Sequence, residues 1–434
     1  MKNRKYIEQL KDSIGEEITI AGWMHRFRNL GKVAFILLRD KSGMVQCVLD
    51  GENIEKVKEL QVESVLKITG KVVATPKGDA VELQVSNIEI LSPVKDMIPV
   101  EINKEELDAH IDTIIDHRPV TLRHPKQTAI FRVQAEIVSS YKEYMKALGF
   151  TEVFFPILAG ASSEGGSEFF EVNYYDRKAT LAQSAQLYKQ ITMGVFEGVY
   201  GLSYSFRAEK YATTRHLTEF NQFEFEMGFI ESMEDVMVHC EASIRYIIES
   251  VEKNCKKELD VLGVTLPKVG EKPFPRITLK EALEVYKAET GVDDTAEPDL
   301  SPAAEKWISK EWAPKVHGTN FIFVTHYPEG KRPFYTMLSP EDSSLTESFD
   351  LIGNGCEITT GGQRIHNYEE QVKRIKEKGL NPDDFEGYLE MHKYGIPPEG
   401  GFGMGLQRVT QNLLGLGNIK EATIFPRDVQ RLTP

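Results

Sequence analysis

SFRAEKYATTRHLTEFNQFEFEM, residues 205–227, holds two alternating segments with a polar, cationic stretch between them. VYGLSYSFRAE (199–209) and TEFNQFEFEMGFI (218–230) both have the period-two pattern of antiparallel strands, so the stretch predicts a long hairpin. Arg207, Arg215 and His216 fall on it. Two arginines and a histidine on one hairpin suit a polyphosphate, because a guanidinium meets phosphate oxygens in a planar, bidentate way. Phe220 on the return segment is placed to stack on a base. Taken alone, the same hairpin is equally a solvated one with ordinary salt bridges.

Two other segments carry related signals. In GGFGMGLQRVTQNLLGL (400–416), Gly400, Gly401, Gly403 and Gly405 precede Arg408, which predicts a Gly-rich turn leading into a helix. Glycines let backbone approach a ligand, and a helix N-terminus favours anions. No Gly-Lys-Ser/Thr follows, so this is not a P-loop, and close helix–sheet packing explains the glycines as well. Asp350 and Glu357 lie on the adjacent strand segments ESFDLIG (347–353) and GCEITTG (355–361). Two carboxylates near a phosphate site can hold Mg²⁺, although strand carboxylates are usually just exposed.

The rest of the chain supplies the frame. EITIAGWM (17–24), VAFILLRD (33–40), MVQCVLD (44–50), ESVLKITGKVV (63–73) and VELQVSNIEIL (81–91) read as five strands, with a helix near 52–60 between the third and fourth. That order fits an OB-fold, a barrel type that binds single-stranded nucleic acid, and equally any small β-barrel. Residues 99–125, with Pro99, Pro119 and Pro125, read as a linker. Ile130, Val133, Ile137, Tyr141 and Met145 recur at helical spacing over 128–147, followed by TEVFFPIL (151–158), an edge strand with Pro156 inside it. Helices are also predicted over 181–196 and 233–254, and 255–320 is a mixed insertion.

Composition narrows the class. The 434 residues carry a net charge of −14, which argues against a generally polyanion-binding surface. Residues 1–100 hold 15 Lys and Arg against 14 Asp and Glu, so the N-terminal segment is nearly neutral and the deficit lies beyond it. No apolar run approaches the roughly 20 residues of a membrane helix, and MKNRKYIEQLKDSIGEE has no apolar core of a signal peptide. Cys47, Cys240, Cys255 and Cys356 form no C-x-x-C pair. The expectation is four free thiols in the cytoplasm and no membrane partner.

Together these segments resemble the signature motifs of class II aminoacyl-tRNA synthetases. The long helix with TEVFFPIL resembles the first, which builds the dimer interface of that family, and so implies a homodimer. SFRAEKYATTRHLTEFNQFEFEM resembles the second and GGFGMGLQR the third. SEGGSEFF (163–170), QSAQLYKQ (183–190), FDLIGNGCEITTGGQRIH (349–366) and IFPRDVQRLTP (424–434) are similar to the compact, archaeal-type aspartate members. The resemblance implies an α+β chain: an OB-fold anticodon-binding domain over 1–98, a hinge over 99–125, and a class II catalytic domain over 126–434 with an antiparallel sheet flanked by helices. It implies ATP and Mg²⁺, activation of aspartate to the adenylate, and transfer to tRNA(Asp).

Residue by residue, the resemblance gives Arg207 the α-phosphate and the attacking carboxylate, with Arg408 as the second catalytic cation. Glu209 and Phe220 go to the adenine of ATP, Arg215, His216 and Arg408 to its outer phosphates, and Leu217 and Gly405 to ATP as a whole. Asp350, Glu357 and Thr360 go to the metal, Glu357 also touching ATP. Glu164, Gln186, Lys189, Thr360 and Arg364 go to the amino acid, where Lys189 favours aspartate because asparagine-specific relatives lack that lysine. Trp23, His25, Arg26, Arg28 and Phe35 go to the anticodon. His25 reads either as an exposed strand residue or as one that relaxes the reading of the third anticodon base, which would admit tRNA(Asn) as well. Gln407, Asn354 and Ala185 stand where the family carries an acid, an arginine and a proline. These departures leave open a paralogue that adenylates without charging tRNA, or a non-catalytic nucleic-acid-binding protein on the same scaffold.

Overall fold

The computed structural model describes residues 4–75, 78, 80–160, 168–210 and 213–434. The chain divides into two compact units, Met1–His124 and Pro125–Pro434.

The first unit is a closed five-stranded barrel. Its strands are β1 (Glu17–Asn29), β2 (Val33–Arg39), β3 (Met44–Asp50), β4 (Val65–Ala74) and β5 (Val81–Ser92), with helix α1 (Gly51–Val57) between β3 and β4. Their spatial order is β1-β2-β3-β5-β4. Alternation sends Ile18, Ile20, Ile36, Leu38, Cys47, Leu49, Leu66 and Ile68 inward, where Ile54 and Val57 of α1 join them. A bulge in β1 shifts its register against β2 between Met24 and Arg26. It leaves Met24 in the core while Trp23, Arg26 and Arg28 pair opposite Arg39, Leu37 and Phe35. His25 occupies the bulge and is buried, so it is not an exposed strand residue. The stretch read as a linker contains two short helices, α2 (Ile111–Asp116) and α3 (Arg118–Thr121).

The second unit opens with α4 (Pro125–Ala147), followed by β6 (Thr151–Glu152), β7 (Leu158–Ala159), β8 (Glu171–Tyr174), β9 (Arg177–Leu181) and α5 (Gln186–Phe196). The predicted hairpin is β10 (Gly198–Phe206) and β11 (Glu219–Gly228), in register from Gly198↔Met227 to Phe206↔Glu219. Then come α6 (Met233–Asn254), α7 (Lys256–Leu262), β12 (Arg276–Thr278), α8 (Leu279–Thr290), α9 (Pro302–Trp307), α10 (Ala313–His317) and β13 (Phe321–Thr325). The chain closes with β14 (Ser348–Gly353), β15 (Cys356–Gln363), α11 (Tyr368–Glu377), α12 (Glu386–Tyr394), β16 (Glu399–Gly405) and α13 (Leu406–Leu414). Eight strands form one sheet in the order β12-β13-β14-β15-β16-β11-β10-β6, and β7, β9 and β8 form a small second sheet. Only the β12/β13 and β10/β6 pairs of the large sheet are parallel.

One face of the large sheet packs on α4 and α6. Ile130, Val133 and Ile137 meet Val236, Cys240 and Ile244 over Phe223, Phe225 and Phe402. Tyr141 stacks on Phe223 at 4.3 Å, and its hydroxyl donates to the Glu224 carbonyl at 2.9 Å. Residues 255–320 are not separate from this frame. β12 adds an edge strand, and Leu283, Tyr286 and Ile308 build a second core against Ile322, Val324 and Ile352.

Two further sequence expectations change. TEVFFPIL pairs only at Thr151–Glu152 and Leu158–Ala159, so Pro156 lies between strands rather than within one, as its missing N–H requires. The Gly-rich stretch is not a turn but the central strand β16, paired with β15 and β11. Close packing requires some of its glycines and not others. A Cβ on Gly401 would lie 2.1 Å from the Phe225 carbonyl oxygen and 2.2 Å from Glu226 Oε2, whereas one on Gly403 would meet nothing nearer than 3.5 Å. Gly401→Ala is therefore expected to cost about 3 kcal/mol, and Gly403→Ala under about 1 kcal/mol, in equilibrium denaturation.

Candidate active site

The face of the sheet opposite α4 and α6 carries a cavity of about 380 Å³. β11 explains how it is floored. Phe223 and Phe225 point into the core, so the intervening Gln222, Glu224 and Glu226 point the other way. Glu224 and Glu226 are both buried, which requires cations beside them. α5 supplies Lys189, whose ammonium sits 3.0 Å from Glu224 Oε2, 3.2 Å from Glu226 Oε2 and 2.9 Å from the Phe402 carbonyl. Arg364, just past β15, donates its Nε to Glu226 Oε1 at 2.7 Å and its Nη2 to the Gly401 carbonyl at 2.9 Å. Nη2 also stands 3.4 Å from Gln186 Oε1, while Nη1 donates to none of the described residues. Burial and its neighbour Glu226 push the Glu399 carboxyl well above the usual range, although Gln190 donates to it at 2.7 Å. Lys189 and Arg364 thus face the carboxylates of Glu224 and Glu226 as two cations against two acids.

The hairpin end of the cavity is cationic. Arg207, just beyond β10, stands over the Phe220 ring at 5.5 Å, and its Nε is buried with no hydrogen-bond partner among the described residues. Arg408, on the first turn of α13, lies 3.1 Å from Glu357 Oε1. Burial alone would raise the Glu357 carboxyl, but Arg408 and the Thr360 hydroxyl, which donates to it at 3.0 Å, bring it below the usual range. Arg215 reaches Glu305 of α9 at 2.7 Å and the Gly355 carbonyl at 2.8 Å. His216 stands 3.8 Å from Glu209, and burial followed by the three arginines lowers its basicity. Leu217 and Gly405 complete this wall.

The cavity thus gathers Gln186, Lys189, Arg207, Glu209, Arg215, His216, Leu217, Phe220, Glu357, Thr360, Arg364, Gly405 and Arg408 from separate elements. Two expected residues stand apart. Glu164 lies outside the described residues. Asp350 does not line the cavity: it is buried opposite Thr360 in the β14/β15 ladder and salt-bridged to Arg332 at 2.9 Å. Burial lifts its carboxyl to about 6 against the pull of that guanidinium. Glu224, Glu226 and Arg332 were not anticipated. The Phe–Glu alternation of EFEFEM was the available signal for the first two, but strand carboxylates opposite a core face normally meet solvent. Nothing in KRPFY (331–335) marks Arg332.

The three departures have local roles. Gln407 accepts from the Asn221 backbone N–H and donates to the Asn221 side chain, both at 3.0 Å, tying α13 to β11 without a charge. Asn354 takes a positive φ of 38° in the β14/β15 turn and donates to the Asn412 carbonyl at 2.9 Å. Ala185 is the buried residue that precedes α5, which starts there without a side-chain cap.

Comparison with known proteins meets this geometry. Residues 110–429 match the model for class II tRNA synthetases (D, K and N), and residues 18–91 match that for the OB-fold nucleic acid binding domain. The chain belongs to the class II tRNA synthetases. Among its curated relatives, an aspartate–tRNA(Asp/Asn) ligase of Thermus thermophilus is 44% identical over 99% of this chain and 100% of the relative. One of the same name from Methanopyrus kandleri is 41% identical over 97% and 96%. The synthetase also superposes on the crystal structure of asparaginyl-tRNA synthetase from Pyrococcus horikoshii, complexed with asparaginyl-adenylate, with a TM-score of 0.93 at 32% identity over the whole of both chains. The aspartyl tRNA synthetase of Entamoeba histolytica gives 0.87 at 30% identity over 99% of this chain and 93% of the other.

The two buried acids of the synthetase's floor should respond differently to loss of charge. Glu226→Gln strips the partner from two buried cations and is expected to cost about 3 kcal/mol in denaturant unfolding. Glu399→Gln replaces an uncharged acid by an amide of the same shape and is expected to cost under about 1 kcal/mol.

Proposed function

We propose that this synthetase is an aspartate–tRNA ligase that charges both tRNA(Asp) and tRNA(Asn) with aspartate. The observation that carries the reading is Lys189 beside Arg364 on the floor of the cavity whose rim holds Arg207. Arg364 Nη1 offers donors and no acceptor. An aspartate side chain accepts there, in a charge-assisted bond worth about 1.5–3 kcal/mol. An asparagine that turns its NH₂ to the same place leaves donor against donor, and sites of this kind reject the wrong isostere strongly. Lys189 has three acceptors around it already, so its direct share comes by exchanging one of them for the substrate. Because burial and Glu226 oppose ionisation of Glu399, the floor carries less negative charge than its three acids suggest, which lets a second carboxylate approach.

The chemistry needs neither a covalent enzyme intermediate nor a general base. The α-carboxylate of aspartate is ionised at neutral pH and attacks the α-phosphorus of ATP. A bond forms between the carboxylate oxygen and phosphorus, and the bond to pyrophosphate breaks. The unpaired Nε of Arg207 is available to the α-phosphate, while Arg408, Arg215 and His216 suit the outer phosphates. Phe220, Glu209 and Leu217 suit the adenine. Glu357 with Thr360 fits a divalent cation, because its carboxylate is held ionised on the cavity wall. Mg²⁺ held there would supply positive charge to the phosphate oxygens. Asp350 supports that wall from behind and would have to release Arg332 to act as a ligand. A ribose hydroxyl of the terminal adenosine of tRNA then attacks the adenylate carbonyl, and AMP leaves with its phosphate taking up the hydroxyl proton. Among the described residues no helix is long and apolar enough to cross a membrane, and we assign the work to the cytoplasm.

With all twenty amino acids assayed, Mg²⁺-dependent ATP–pyrophosphate exchange is expected with aspartate and not with asparagine or lysine; the reverse between aspartate and asparagine overturns the assignment. Arg207→Ala is expected to abolish exchange without unfolding the chain. Lys189→Ala should chiefly raise the aspartate KM and erode discrimination against asparagine. Charging of the two purified tRNA transcripts should differ by less than about a hundredfold in kcat/KM.

We also propose a homodimer. Phe154 is 89% exposed, and Ile157 and Leu158 beside it are exposed as well, where the sheet ends in the two-residue strand β6. An apolar edge of this kind suits an isologous interface. Light scattering at micromolar concentration should give twice the chain mass, and the mass of one chain would refute it.

A further inference from the structure

A buried charged cluster also lies in the barrel, around Glu63. Its side chain is 1% exposed, with Arg39 Nη2 at 2.7 Å and Arg123 Nη1 at 3.4 Å from Oε2. His25 Nδ1 stands 3.7 Å from Oε1, beyond hydrogen-bond reach. Glu63 itself has a positive φ of 69°, a strained conformation for a residue with a side chain. Its backbone N–H donates to the Met24 carbonyl at 2.7 Å, and the Met24 N–H to the Ser64 carbonyl at 2.9 Å. The strained residue is therefore clamped against the bulge of β1 that holds His25. Burial would lift the Glu63 carboxyl, but the guanidiniums of Arg39 and Arg123 help bring it below the usual range.

The decisive contact is between Arg39 Nη1 and His25 Nδ1, at 3.1 Å. A guanidinium only donates. His25 Nδ1 is then the acceptor, and the ring proton sits on Nε2. Nε2 makes no hydrogen bond with any described residue, so it is the edge left for a ligand. Beside it, the guanidiniums of Arg39 and Arg123 stand over the Trp23 ring, 5.8 and 5.7 Å from its centroid. One buried carboxylate thus anchors both cations that frame the aromatic platform, and one of those cations sets the histidine.

We propose that Glu63 is a positioning residue for anticodon reading. Through Arg39 it holds His25 as the tautomer protonated on Nε2, and through Arg39 and Arg123 it braces Trp23. The inference rests on the reading of the barrel as the tRNA-anticodon surface. It gives relaxed reading a physical basis. The third anticodon base is cytosine for aspartate and uracil for asparagine, and the two pyrimidines share an acceptor at O2. A single fixed N–H donor bonds to that oxygen in either base, whereas a donor–acceptor pair would tell them apart. Purines have no O2.

The test uses the full-length synthetase and tRNA transcripts whose third anticodon base is cytosine, uracil or adenine. The wild type should charge the two pyrimidine transcripts alike and the adenine one poorly. Glu63→Gln should lower kcat/KM for both pyrimidine transcripts about tenfold, mostly through KM, the order of one positioned hydrogen bond. It should narrow the gap to the adenine transcript and leave ATP–pyrophosphate exchange unchanged. A merely structural role would not collapse that dependence on the base. Trp23→Ala separates the layers of the argument. If it charges at the wild-type rate, the barrel reading beneath the inference fails; if it is impaired while Glu63→Gln is not, the inference alone fails. Should Glu63→Gln not fold, the ¹⁵N spectrum of the histidine-labelled wild type decides. A His25 ring protonated on Nε2 supports the proposal, and one protonated on Nδ1, or averaged between the two, overturns it.

Discussion

Two carboxylates buried side by side on one strand, Glu224 and Glu226, are the constraint around which the second unit is built. Each would be ruinous unpaired in a sheet whose other face is a phenylalanine core. Their neutralisation brings Lys189 from α5 and Arg364 from the end of β15 to the same floor. The close approach of β16 follows, since Gly401 leaves room for Glu226 and lends its carbonyl to Arg364. Those cations are then already in place, in a water-poor setting, for a ligand that exchanges with one of their partners. Preorganisation of this kind is what lets a few charged groups act on reacting phosphate without rearranging.

The barrel repeats the device on a smaller scale. There one carboxylate, Glu63, gathers two guanidiniums and sets a histidine tautomer beside an aliphatic core. In both units a buried counter-charge decides where a functional cation stands. The cavity rim differs. Arg207 carries an unmet donor, and the Glu305 and Glu357 partners of Arg215 and Arg408 are only partly shielded. Cations gathered at one rim suit a ligand with several negative charges that can replace their carboxylate partners.

Much was readable from the chain alone. The period-two pattern of 199–230 sufficed for the hairpin, because a strand with one core face must alternate. The apolar spacing of Ile130 to Met145 sufficed for α4, and the five strands of the first unit sufficed for a barrel. The motif strings carried the cavity residues, since all but Glu164 and Asp350 of those expected in the second unit line it. The limit lay with elements whose type depends on neighbours. GGFGMG has no side-chain pattern of its own, and it is a strand only because β11 and β15 flank it on both sides.

The sequence by itself therefore determined periodicity, and with it which residues share a face. It also determined which charged groups were available to a site. Only the tertiary structure decided which of those charges meet. Asp350 and Glu357, seven positions apart on paired strands, end in different settings: one is sealed behind the wall with Arg332, the other on it with Arg408. His25 is turned inward by a bulge that no period predicts, and its tautomer is set by a guanidinium 14 positions away in the chain. The physical reason is common to these cases. Pairing of buried charge acts over a few ångströms in space and carries no signature along the chain, so only the fold can choose the partner.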